Sequence, residues 1–106
     1  MDFVANEHYY LPDRRHLDAI TMSAAIVEGI SKGKPWMLME NSTSSVNWRP
    51  VNLRKKPGEI LRDALVHVAN GADGICFFQW RQSAAGAEKC HSAMLHHAGE
   101  TSRIYR

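Results

Sequence analysis

Cys76 and Cys90 are the only two thiols in this 106-residue sequence. That density excludes a disulfide framework. Cys76 lies in an apolar run and reads as a small buried hydrophobe, so a reducing, cytoplasmic setting is expected. No apolar stretch comes near the roughly 20 residues that a membrane-crossing helix needs. The opening Met1-Asp2-Phe3-Val4 has neither the basic region nor the apolar region of a secretory signal. Formal net charge is only +2, too small by itself to imply a nucleic-acid partner. There is no glycine-rich phosphate loop, no serine–histidine–aspartate order that would make a triad, and no internal repeat. Neither a membrane nor a nucleic acid is expected as a partner, and no cofactor is expected.

What remains is an ordinary globular composition, 44% hydrophobic and 23% charged, with room for one modest domain. The chain reads as alternating strands and helices. Asp2 to Asn6 is a short strand running into Glu7-His8-Tyr9-Tyr10. A helix is expected from about His16 to Lys32, with Leu17, Ile20, Ala24 and Val27 as one apolar stripe. Gly33 closes it. Pro35 to Glu40 is a second strand; simple alternation puts Trp36, Leu38 and Glu40 on one face and Met37 and Met39 on the other. The polar loop Ser42 to Lys56 is long, as functional loops often are. Pro57 suits the start of a second helix and Glu59 its positive end. Leu61, Ala64, Leu65 and Val68 are its expected buried stripe, and Asn70-Gly71 ends it. Gly74 to Trp80 is a third strand, and Ser83 to His91 is a loop leading into a short helix.

Strand, helix, strand, helix, strand is the order of parallel β/α units with right-handed crossovers. Three open parallel strands leave two unpaired edges. The expected fold class is therefore α/β, a part of a (β/α)8 TIM barrel with about three parallel strands and two intervening helices. Residues 1–95 form the barrel segment, and 96–106 are an exit segment or tail. Such a slice is either a fragment or completes itself by association, so a homo-oligomer is expected.

In α/β folds, chemistry gathers at the C-terminal ends of parallel strands. Glu40 ends an apolar strand, either as a functional carboxylate or as a solvated strand end paired with Arg49. Trp48, in the polar loop, either caps a core or offers an apolar ring face to a sugar. The Tyr9 hydroxyl reaches either backbone or ligand. Glu88 and His91, three residues apart, share a helical face, as a solvated pair or as groups for hydroxyls. Cys90, His91, His96 and His97 do not have the spacing of a structural zinc site, so no metal is expected. Arg54-Lys55-Lys56 reads as a solvated basic loop.

These residues lie in longer matching blocks. They are Trp36-Met37-Leu38-Met39-Glu40, Ser42 to Asn52, Arg54 to Glu59, Gly71 to Ile75, Phe78-Gln79-Trp80-Arg81-Gln82, Gly86-Ala87-Glu88-Lys89 and His91-Ser92-Ala93-Met94. Taken together, the chain resembles glycoside hydrolase family 42, the β-galactosidases built on a TIM barrel. The resemblance implies that the three strands are the sixth, seventh and eighth of the barrel. It matches Glu40 to the catalytic nucleophile and Trp48 to the tryptophan beside the bound galactose. Glu88 and His91 match groups that hydrogen-bond galactose hydroxyls, and Tyr9 matches the tyrosine near the nucleophile. The implied substrate is a terminal β-D-galactoside, hydrolysed with retention. The family's general acid, a glutamate preceded by asparagine near the fourth strand, has no counterpart here, since Asn6-Glu7 lies in the wrong strand. Cys90 stands where an aromatic residue is expected. Two further functions remain open: a non-catalytic truncated barrel segment acting only through self-association, and an unrelated α/β interaction module.

Overall fold

A computed structural model describes residues 2–13 and 15–98. Its elements follow the expected order: β1 (Val4–His8), α1 (His16–Ser31), β2 (Trp36–Ser42), α2 (Glu59–Ala69) and β3 (Gly74–Phe78), then a single 3₁₀ turn, Ala87–Cys90. The three strands form one sheet in the order β1-β2-β3. Both pairs are parallel, as alternating β/α units require. The segment after the turn pairs back on the exit of β3 through an isolated parallel bridge, Arg81 to Leu95. The expected tail from His96 lies, beyond Ala98, outside the described residues.

The core sits between the sheet and α1. Ala24 and Val27 of α1 meet Trp36 and Leu38 of β2 and Ala72, with Val4 and Ile75 packed against them. Ile20 is also fully buried, while Leu17, expected in the same stripe, lies at the surface. The Trp36 indole donates to Glu28 at 2.9 Å. Gly71 lies against that bond. With φ of +96°, it would place a Cβ 2.6 Å from the Glu28 Oε2 atom, so the turn after α2 excludes side chains on two counts.

The second helix departs from expectation. Leu61, Leu65 and Val68 are exposed, at 62%, 56% and 49%. Its buried residues are Asp63 and His67. Apolar spacing marks the face a helix covers when a partner is present, and among the described residues nothing covers that face. The polar stripe instead turns inward, against β1 and the loop after β2. Two smaller expectations also change. Cys76 is half-buried, and both cysteines are free. Lys55, read as a solvated loop residue, is 4% exposed.

Candidate active site at the strand ends

Glu40 does not follow the alternation of its strand. Asn6 pairs with Leu38, but the next β1 residue, Glu7, pairs with Glu40. On the other side Leu38 pairs with Ile75 and Asn41 with Phe77, so three steps in β2 match two in β3. One extra residue therefore sits in β2 against both neighbours, a β-bulge. Residues paired across parallel strands share a face. Val4 and Asn6 face the helices, where Val4 joins the core and the Asn6 amide donates to Ser23 of α1 at 3.1 Å. Trp36 and Leu38 share that face; Glu40, paired with Glu7, shares the opposite one. The expectation that Glu40 shares a face with Trp36 and Leu38 is corrected by the bulge, which turns the carboxylate away from the core.

There the Tyr9 hydroxyl donates to Glu40 Oε2 at 2.5 Å. Burial pushes the Tyr9 phenol well above its ordinary range, assisted by the bond to Glu40 and by the charges of Glu40, Glu7 and Glu88. It stays a donor, and Glu40 accepts its hydrogen bond. The Tyr9 ring meets Trp48 edge-on at 4.9 Å between centroids and His91 at 6.1 Å. Trp48 lies 5.6 Å from His91, and His91 lies 4.9 Å from Phe78. The Trp48 indole is 54% exposed, so a large ring face remains open beside the carboxylate.

His91 is fully buried. Its Nδ1 lies 2.9 Å from the Ser92 carbonyl, which places a proton on that nitrogen, and Nε2 is the other ring nitrogen. That Nε2 and Glu88 Oε2 have no partner among the described residues. Glu88 is the second residue of the 3₁₀ turn, and its carbonyl accepts the His91 N–H at 3.0 Å; residues three apart eclipse in such a turn. The loop after β2 is stitched to this segment. Asn47 donates to the Ala87 carbonyl at 2.8 Å, and Ser92 Oγ to the Ser45 carbonyl at 2.9 Å. Tyr9, Glu40, Trp48 and His91 are thus joined by direct contacts, and Glu88 acts on Tyr9 through its charge.

A family model described as β-galactosidase, that of glycoside hydrolase family 42, matches residues 1–106. The chain belongs to glycoside hydrolase family 42. It is 57% identical over 106 residues to a β-galactosidase of Bifidobacterium bifidum, covering all of this chain and 15% of that protein. It is 53% identical over 108 residues to a β-galactosidase of an Arthrobacter species, with the same coverage. Among solved structures, a β-galactosidase from Bacillus circulans sp. alkalophilus superimposes with a TM-score of 0.88 at 35% identity, over 99% of this chain and 16% of that one. The chain therefore spans about 15% of the length of the curated relatives it matches. Its three strands and two helices are a slice of the family's (β/α)8 barrel. Among the described residues no helix is long and apolar enough to cross a membrane.

Beside the candidate site lies a buried charged cluster that sequence reading missed. Asp63, fully buried, accepts the Tyr10 hydroxyl at 2.6 Å and faces Arg62 at 2.9 Å and Lys55 at 3.7 Å. Lys55 Nζ donates to the Ser42 carbonyl at 2.8 Å and to the Tyr10 hydroxyl at 3.2 Å. Burial pulls the Lys55 ammonium down to about 8, while Asp63 holds it up. Arg49 serves neither Trp48's ring nor Glu40. It donates to the Tyr9 carbonyl at 2.7 Å and the Tyr10 carbonyl at 3.1 Å, and among the described residues it forms no ion pair with Glu40. The contacts to Tyr9 and Tyr10 join residues 39 to 53 positions apart. No local spacing signals them.

Proposed function

We propose that this chain carries the nucleophile half of a retaining β-galactosidase site, which hydrolyses terminal β-D-galactosides when the barrel is complete. The single observation that supports it most is the bulged end of β2, where Glu40 turns off the core face and takes the Tyr9 hydroxyl. In this reading a Glu40 oxygen attacks the anomeric carbon as the glycosidic C–O bond breaks. The departing oxygen takes a proton from a second carboxyl group, and a galactosyl ester forms. That carboxylate then removes a proton from water, whose oxygen bonds to the anomeric carbon while the ester bond breaks and returns its pair to Glu40. Such a second group stands about 5–5.5 Å from the nucleophile, and it comes from barrel strands outside these 106 residues.

Trp48 serves as the platform for the apolar C–H face of galactose. Glu88 Oε2 and His91 Nε2 form hydrogen bonds with galactose hydroxyls. Tyr9 holds the nucleophile. The expected setting is the cytoplasm, which two free thiols suit. Mixing the chain with an activated aryl 2-fluoro-galactoside tests the reading, because a good leaving group needs little protonation. The expected result is one galactosyl adduct, on Glu40 by peptide mass mapping, with little sustained turnover and no adduct in Glu40→Gln. An adduct on another residue, or turnover of an unfluorinated aryl galactoside that survives Glu40→Gln, overturns it.

A second reading, association without catalysis, draws on the exposed apolar stripes. Met22, Ile26 and Ile30 of α1 and Leu61, Leu65 and Val68 of α2 all lie at the surface, more apolar area than a monomer usually shows. Sedimentation at micromolar concentration separates the cases. A stable monomer with cooperative unfolding counts against self-association.

A further inference from the structure

Two cations of the loop after β2, Arg49 and Lys55, converge on one dipeptide. The Arg49 guanidinium spans successive carbonyls, those of Tyr9 and Tyr10. A planar fork makes these bonds from two nitrogens held at a fixed spacing, a geometry that a single ammonium nitrogen does not reproduce. Lys55 reaches the same dipeptide from the other side, through the Tyr10 hydroxyl, and also takes the carbonyl of Ser42, two residues past Glu40. Its own backbone N–H donates to Ser44 Oγ at 3.1 Å. Lys55 therefore bridges the two strand ends whose side chains meet at the carboxylate, Tyr9 after β1 and Glu40 on β2.

The loop bearing these cations is itself braced. Asn52 accepts the Val46 N–H at 3.0 Å and donates to the Val46 carbonyl at 2.9 Å. Tyr10 is fixed in turn by its hydrogen bond to buried Asp63. Bonds from ionised donors are roughly twice as strong as neutral ones. Four of them, two from each cation, act within a few residues of the Tyr9–Glu40 contact. Trp48 precedes Arg49 directly, so the aromatic platform and the phenol ride on the same connection.

We propose that Arg49 and Lys55 are positioning residues that clamp Tyr9 against Glu40, holding the nucleophile and the Trp48 platform in one fixed relation. The clamp touches neither the carboxylate nor a substrate. It acts through the backbone of Tyr9 and the phenol of Tyr10. Its catalytic value rests on Glu40 being the nucleophile, as proposed above; the clamp itself is a matter of geometry and is testable without turnover.

The experiment uses the full chain with isotope-labelled tyrosine and tryptophan, Tyr9→Phe identifying the Tyr9 signals. Arg49→Lys is the decisive variant, because it keeps the charge at a half-exposed position and removes the fork. The expected result is loss of the slowly exchanging Tyr9 hydroxyl signal and of the Tyr9–Trp48 ring contact, with an almost unchanged urea midpoint. Labelling of Glu40 by the activated 2-fluoro-galactoside is expected to slow on the order of 10²-fold, the cost of a small misplacement, with little change in the concentration that half-saturates it. In Arg49→Ala, added methylguanidinium is expected to restore both signals. Lys55→Met is expected to behave alike where it folds, and Arg49→Lys carries the test where it does not. A Tyr9 signal and ring contact that persist in Arg49→Lys overturn the clamp, as does labelling within about twofold of the unmodified rate. If the unmodified chain is never labelled at Glu40, the nucleophile reading fails instead, and the spectra alone decide the clamp.

Discussion

The two helices of this slice have similar apolar spacing and opposite fates. Helix α1 buries Ile20, Ala24 and Val27 against the sheet. Helix α2 leaves Leu61, Leu65 and Val68 in the open and buries Asp63 and His67. One helix is a wall of the core. The other reaches the rest of the chain through polar groups, and those groups brace the loops around Glu40. Amphipathicity therefore reports which face of a helix will be covered, and says nothing about whether the same chain does the covering. In α2 the inward face is the one that serves the candidate site.

This contrast can be broken or sharpened by measurement. The largest effect is expected for Asp63→Ala. It removes the carboxylate that takes the Tyr10 hydroxyl and faces Lys55 and Arg62, and breaking a buried charged pair costs about 3–5 kcal/mol. Urea unfolding reads this directly, and a loss under about 1 kcal/mol would mean the cluster is not a structural tie. Ile20→Ala should follow, at about 3 kcal/mol for a large side chain removed from a packed core.

A smaller effect is expected on acidification. Burial, helped by His67 and Lys55, lowers His8 from 6.5 to about 4, and burial lowers His67 in the same direction. Both are neutral when folded and take protons more readily when unfolded. The stability they allow is complete above about pH 6.5 and is lost as pH falls toward 4. Urea midpoints across that window should decline, and His8→Gln should flatten the decline. The smallest effect is expected for Leu65→Ala, within about 0.5 kcal/mol at low protein concentration. A loss rivalling that of Ile20→Ala would show that α2's outer face is covered in solution, and the contrast between the helices would fall.

How far the sequence could be read follows the range of the interactions. Strand and helix order and the parallel sheet rest on local pattern, and the fold agrees with it, except that β2 runs two residues past Glu40 to Ser42. Alternation failed at Glu40, because a bulge leaves no mark in composition. The α2 stripe was misjudged because periodicity assumes that cover exists. Lys55 looked like one of three loop cations, since its partners, Ser42, Tyr10 and Asp63, are 13, 45 and 8 residues away in sequence. Tyr9, Trp48, Glu88 and His91 were marked separately by residue type, position and, for the last two, spacing; the family likeness gave them one shared role, and no spacing rule alone would have joined all four.

The bulge also bears on how this stretch can vary over time. Leu38 and Glu40 pair with consecutive residues of β1, Asn6 and Glu7, so Met39, 40% exposed, is the position in excess. Exchanging Met39 leaves that surplus in place. Removing it would bring β2 into step with both neighbours and put Glu40 directly after Leu38, where plain alternation keeps the carboxylate on the face opposite Leu38. A one-codon deletion here would straighten the strand without turning Glu40 toward the helices.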